Sequence, residues 1–585
     1  STNAMKKQYI TLAAALLALG MSAQTLTKEI VIEREVDPTL PDAQRISNYP
    51  ALLQPQAPTT RLPFVDITAA ARVPGMLTML EPADGQPAFT VSPYRGYASL
   101  GYFPAYNLGI SAGYSIIAKP ASSLNVWTQF DGYSYKDQYD ETLKRNSVTL
   151  GADFSQLFGR SRRLDVSADF TYNAYNRPWE ETDPNHSTLA FNVDAAWSAR
   201  HNALAYYVTA DFNHFGFSGK EKGLTFHDID AISQNIAKAS AGTVYFITDK
   251  SSLAGHVDVN FVNTSHFNQL MNGAEVNGNA VGISAPQMMP GEGKTLGLIT
   301  LAPAYRYTSG VFSTSLGIKA QIATNSGKTF HIAPDVKFNL RPVSAFAATL
   351  TLGGGEHINT LSELYDINPY MSVAQGHKFS EVPFTADLAL TFGPFYGASV
   401  ELFGGYAVAN DWLMPDAACI NGASGIVNAV DRDIYATMFD AVDLRAFHYG
   451  AKLAWKYNKH IEASVKYTGS PGSYSHSYYL NRDRARHILE AKASVTPIDP
   501  LTVDASFELR AGRSLYSSWG TLSGSKPLRY DLRNANSLNI GATYRFTDML
   551  SAFVRVENIL GNRAYMYNML QQQGIHGLIG AAIKF

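Results

Sequence analysis

Leu501-Thr502-Val503-Asp504-Ala505-Ser506-Phe507-Glu508-Leu509-Arg510 alternates without a break between apolar and polar side chains. In an extended chain successive side chains point to opposite faces. Leu501, Val503, Ala505, Phe507 and Leu509 therefore share an oily face, and Thr502, Asp504, Ser506, Glu508 and Arg510 a wet one. Leu189 to Arg200 repeats the pattern, as does Ser537 to Phe546, where Leu538, Ile540, Ala542, Tyr544 and Phe546 oppose Ser537, Asn539, Gly541, Thr543 and Arg545. Each run has about the ten residues that a tilted strand needs to cross a bilayer.

The same alternation extends over most of the chain, from about Tyr94 to Phe585. It predicts strands from 94–103 to 576–585, among them 238–247, 397–409 and 446–457, with a tally of 22 and a range of about 20 to 24. Short turns are expected at Lys119-Pro120, Gly159-Arg160, His201-Asn202, Asp249-Lys250, Ser309-Gly310, Arg341-Pro342, Gly393-Pro394, Asn458-Lys459, Asp499-Pro500 and Thr547-Asp548, all with turn-forming residue types. The stretches 216–237, 264–294, 356–383, 410–445, 468–484 and 512–536 read as long, irregular loops. Short turns at one rim, long loops at the other and an even strand count describe an all-β, antiparallel transmembrane barrel with short periplasmic turns and long extracellular loops. Lipid offers no hydrogen-bond partners, so the sheet must close on itself. The apolar faces then meet outer-membrane lipid, and Asp504, Glu508, Arg510 and Arg545 line the lumen.

Composition agrees with that reading. The 585 residues are 46% hydrophobic, 12% aromatic and only 16% charged, with 33 Tyr and 45 Gly, a balance that suits strands. A formal net charge of −2 gives no cationic surface for nucleic acid. The one cysteine, Cys419, excludes an internal disulfide and any Cys-rich metal motif. Residues 1–4 read as a tag remnant. Residues 5–23 have a basic start at Lys6 and Lys7, an apolar run from Ile10 to Leu19 and small residues Ser22 and Ala23, which is a signal-peptide profile cut after Ala23. Residues 24–86 are Pro-rich and aperiodic and read as a periplasmic or lumenal N-terminal segment, with the barrel over 87–585.

Ala552-Phe553-Val554-Arg555-Val556-Glu557-Asn558-Ile559-Leu560-Gly561-Asn562-Arg563 resembles the V-x-N-[IL]-[FL]-[GN]-x-[RK] stretch near the C-terminus of TonB-dependent receptors. The last strand, ending in Ile583-Lys584-Phe585, resembles the terminal signal read by the barrel-assembly machinery. The first resemblance implies a receptor that binds or passes a solute and is energised by a TonB-type protein. Such a partner is reached through a short extended box, and Glu29-Ile30-Val31-Ile32-Glu33 looks like one. The family's full plug domain is larger than the 63 residues from Gln24 to Gln86, so residues 24–86 are alternatively a contact for another envelope protein. The second function to weigh is accordingly a structural or assembly subunit with an occluded lumen.

His448, His460, His476 and His487 have a spacing that fits no single metal site, and no metal or cofactor is expected. The aromatic run Tyr474-Ser475-His476-Ser477-Tyr478-Tyr479 fits a membrane interface or a stacked ligand. No zincin or phosphate-loop motif is present, and no enzyme is expected.

Overall fold

The computed structural model describes residues 93–104, 106–136, 140–176, 185–218, 231–265, 275–276, 279–280, 295–325, 328–367, 369, 379–419, 435–458, 460–470, 472–475, 485–517, 528–566 and 570–585. The signal-peptide reading, the segment 24–86 with Glu29 to Glu33, and His476 lie outside them.

One closed antiparallel sheet contains 22 barrel strands. They are β1 (Gly96–Phe103), β2 (Asn107–Lys119), β3 (Ser122–Lys136), β4 (Thr142–Phe158), β5 (Arg162–Asn176), β6 (Asn185–His201), β7 (Leu204–Ser218) and β8 (Ala231–Phe246). Next come β9 (Ser251–Thr264), β10 (Thr295–Thr308), β11 (Phe312–Thr324), β12 (Phe330–Val343), β13 (Phe346–Ile358), β14 (Phe379–Phe395) and β15 (Ala398–Cys419). The circuit ends with β16 (Tyr435–Tyr457), β17 (Ile461–Gly469, resuming at Gly472–Ser475), β18 (His487–Ile498), β19 (Leu501–Ala511), β20 (Ala535–Arg545), β21 (Leu550–Glu557) and β22 (His576–Lys584). Each strand pairs with its sequence neighbours, and β1 pairs with β22 to close the wall.

The expected strands all form, and ten connections at the rim that holds both barrel ends are only two to four residues long. Two turns fall later than expected. The chain reverses after Val343 rather than at Arg341-Pro342, and at Tyr396-Gly397 rather than at Gly393-Pro394. Pro342 and Pro394 sit at register shifts, between Leu340 and Val343 and between Phe392 and Phe395. A bulge tolerates a residue that cannot donate to the ladder, so the prolines mark the bulges and not the reversals. Tyr396 (φ 50°) and Gly397 (φ 82°) supply the left-handed pair that a tight hairpin turn requires.

The span 410–445, expected to be a loop, is mostly strand. β15 and β16 run for 22 and 23 residues, roughly 70 Å of chain at about 3.3 Å per residue. That far exceeds a hydrocarbon core of about 30 Å, so this hairpin stands above the membrane band.

Alternation sets the two faces of the wall. On β10 and β12 the outward Ile299, Leu301 and Ile332 are exposed, while Leu298 and Ala333 on the opposite face are buried; Ile332 is 62% exposed beside Ala333 at 2%. Trp455, Tyr457, Tyr544, Phe546 and Phe395 gather at the short-turn rim, where rings with a polar edge suit the lipid–water boundary.

The lumenal candidate site and its mouth

The polar side chains of β15 to β20 meet in register on the inner face. Glu401 pairs with Lys452, Lys452 with Lys466, Lys466 with Glu490, Glu490 with Glu508, and Glu508 with Ser537. Lys466 Nζ lies 3.8 Å from Glu490 Oε2, and Arg510 donates to Glu508. Asp504 stands between Ser494 and Gly541 in the same layer system. Arg545 is at the short-turn rim, where its guanidinium donates to the Asp499 carbonyl at 3.2 Å. The sequence places these four residues on one face, and the ladder brings Glu508 and Arg510 into contact while leaving Asp504 and Arg545 apart.

The mouth is not a plain continuation of that polar wall. Val262, Leu296, Leu298, Ala323 and Phe379 form a buried cluster on the inner side of β9 to β14, with Ile236 and Ile358 packed on it. An inner face that is polar throughout, as the alternation implies, is therefore corrected here. The connection between β13 and β14 carries a short helix, α1 (Leu361–Ile367), that reaches across to strands β4, β5, β7 and β8. Thr360 and Glu363 form a reciprocal N-terminal cap: the Glu363 N–H donates to Thr360 Oγ1 at 3.1 Å, and the Thr360 N–H donates to Glu363 Oε2 at 3.3 Å.

From that cap, Leu361, Leu364 and Tyr365 are driven into the wall and buried. The Leu361 N–H donates to Gln234 Oε1 of β8 at 2.9 Å. Tyr365 packs against Tyr175 of β5 and Phe215 of β7, with ring centroids 6.0 and 5.6 Å away, and the Arg145 guanidinium of β4 lies 5.9 Å from its ring. One turn of helix thus touches strands on the far side of the β9 to β13 arc. Partial desolvation beside this interface raises the carboxyl of the solvent-exposed Asp366 above its usual range, against the lowering effect of Arg145.

A second inward lean comes from the connection after β21. Asn558 is fully buried at φ 48°, and its amide donates to the carbonyls of Asn562 (2.8 Å) and Gln573 (2.7 Å). The Gln571 carbonyl accepts from Tyr135 of β3 at 2.9 Å, and Gln573 donates to Asn107 of β2 at 3.2 Å. The Asn558-to-Asn562 motif is therefore a clamp that aims its connection over β2 and β3.

The histidines singled out in the sequence stay apart. His448 lies 3.4 Å from Asp387, His460 bonds the Thr496 carbonyl, and His487 bonds Tyr467. At the barrel seam, Ile583 faces outward and pairs with Ala98 and Leu550. The Phe585 carbonyl accepts from the N–H groups of Arg95 (2.8 Å) and Gly96 (2.7 Å), and its ring stacks 6.3 Å from Tyr114. Sequence reasoning missed α1 and, beside it on the inner wall, the group His331, Glu356 and Glu381. The signals were Thr360-x-x-Glu363 ahead of apolar residues, and three successive glycines before Glu356 inside a strand.

No family model and no curated protein matches the chain. Solved structures do. The siderophore receptor PirA from Acinetobacter baumannii superposes with a TM-score of 0.61 at 10% identity, over 84% of this chain and 80% of that one. The FrpB iron transporter from Neisseria meningitidis gives 0.60 at 10% identity over 84% and 81%. The ferric enterobactin receptor PfeA from Pseudomonas aeruginosa gives 0.59 at 10% identity over 84% and 80%. The chain has the 22-strand barrel fold of the TonB-dependent siderophore receptors.

Proposed function

We propose that this chain is an outer-membrane receptor barrel that binds or passes a solute entering at the mouth where α1 docks. The observation that carries the reading is a closed 22-strand wall with a charged, registered inner face and connections folded inward at the long-loop rim. A barrel of this size encloses far more space than its own side chains fill, so an element inside the mouth has a gating role. Iron and siderophore ligands belong to the superposed proteins by name, and a ferric siderophore is the first solute to test here. A TonB-type partner would engage residues 24–86 through Glu29 to Glu33.

Single-channel conductance in planar bilayers tests the reading, comparing the full chain with chains lacking 24–86 or lacking 361–367. The expected result is a closed full chain and large conductance once an occluding element is removed. Silence in all three favours the second reading, a structural subunit with a filled lumen, which the inward lean of both α1 and the connection after β21 supports.

A further inference from the structure

On the inner wall at the stem of the α1 connection, three strands converge on one point. His331 is the second residue of β12, Glu356 stands two residues before the end of β13, and Glu381 two residues after the start of β14. Their ligand atoms all lie within 4.8 Å of one another. His331 Nδ1 is 2.7 Å from Glu356 Oε1 and 3.2 Å from Glu381 Oε1. Both His331 and Glu356 are more than nine-tenths buried, with side chains 7% and 3% exposed.

The tautomer of the imidazole is what makes this arrangement unusual. His331 Nε2 lies 2.6 Å from the Lys328 carbonyl. A carbonyl only accepts, so Nε2 must carry a proton. In the neutral ring Nδ1 is then a bare lone pair, and it points at two carboxylate oxygens. Glu356 Oε1, buried beside it, accepts no hydrogen bond. Three lone pairs facing one another in a buried pocket repel unless a proton or a metal cation sits among them. A histidine whose second nitrogen donates to a backbone carbonyl, with carboxylates opposite the first, is the usual way that proteins orient a metal ligand.

The surroundings brace this geometry. The Glu356 N–H donates to Gln321 Oε1 at 2.8 Å, and Gln321 in turn donates to Thr300 at 3.0 Å. Asn410 donates to the other Glu381 oxygen, Oε2, at 3.0 Å. The bulge between Gly353 and Gly355, with Gly355 at φ 124°, turns Glu356 towards His331. Lys328 Nζ, on a side chain 66% exposed, lies 3.3 Å from Glu381 Oε1 and is free to swing into solvent.

We propose that His331, Glu356 and Glu381 bind a divalent transition-metal ion that ties β12, β13 and β14 together at the stem of the α1 connection. One imidazole and two carboxylates suit zinc or its first-row neighbours. Bonds of about 2.0–2.2 Å place tetrahedral ligand atoms roughly 3.4 Å apart, against 2.7 and 3.2 Å from His331 Nδ1 to the two carboxylates here. The site is independent of whatever solute the lumen passes.

The test is zinc titration of the metal-stripped, folded full chain against a chromophoric chelator, with heat-modifiable gel mobility confirming each variant's barrel. The expected result is one equivalent of zinc, bound at least ~10-fold more weakly by His331→Asn and Glu356→Gln, and no more weakly by Lys328→Ala. Should Glu356→Gln fail to fold, Glu381→Gln, at a less buried position, carries the same expectation. Absence of binding, or binding that all of these variants leave unchanged, overturns the proposal. Loss of affinity in Lys328→Ala overturns it too, because a cation that competes for Glu381 should oppose zinc binding there, not support it.

Discussion

Gly355 shows how much one residue decides at the mouth. Its φ of 124° is closed to side-chain-bearing residues, and a Cβ there would lie 2.6 Å from Gln321 Oε1. Gly355→Ala is expected to destabilise the barrel by about 1–3 kcal/mol, read as a lower urea midpoint for unfolding from lipid or detergent. Gly310, at a turn with no neighbouring atom within 4 Å of such a Cβ, is the control: Gly310→Ala should leave the midpoint in place. Equal effects of the two substitutions would show that the bulge conformation is not what Gly355 supplies. At this scale the sequence was only partly legible. Asp504, Glu508 and Arg510 could be put on one face by counting in twos, but His331, Glu356 and Glu381 are separated by 24 to 49 intervening residues. They meet only because of strand register and a bulge, neither of which is written in local pattern.

Among the elements, strands were readable and the helix was not, for a physical reason. A strand crossing a bilayer must alternate over about ten residues, and β19 and β20 do so with almost the bounds that alternation implies. The helix α1 has seven residues, too few for a 3.6-residue period to show, and only its Thr360/Glu363 cap betrays it. Its docking should depend on pH. Partial desolvation holds Asp366, an otherwise solvent-exposed residue, above the usual carboxylate range despite Arg145, so the docked helix favours the neutral acid. Docking is then at full strength below the ordinary carboxylate pKa and weakens as pH rises through the raised value. Hydrogen exchange of 361–367, corrected for intrinsic rates, should show less protection at pH 7 than at pH 4, and Asp366→Asn should flatten the profile at its low-pH level. A profile unchanged by that substitution would assign the pH response elsewhere.

For the whole molecule, closure is the property on which lipid compatibility rests, because a single unpaired edge in the hydrocarbon leaves a row of backbone groups without partners. The seam is narrow: β1 and β22 share six register pairs, from Tyr97 with Lys584 to Tyr102 with Ile579. Its faces follow from that register. Ser99 and Ala582 are partners on the inner side, whereas Ala581 pairs with Leu100 on the outer side, where Leu100 and Ile583 are exposed. A slip of one residue would exchange the two sets of side chains. Opposed residues in antiparallel strands have Cα atoms about 4.5–5.5 Å apart, within disulfide reach. With Cys419, the only native cysteine, replaced by serine, Ser99→Cys combined with Ala582→Cys should therefore oxidise to a crosslink that makes the barrel a covalent ring. Its sign would be an unfolded band of altered gel mobility that reductant restores. Ser99→Cys with Ala581→Cys, one residue off that register and on opposite faces of the wall, should remain reduced under the same treatment. Crosslinking of the second pair in place of the first would mean that the seam closes one residue out of register, and with it that the inner and outer faces of β22 are reversed.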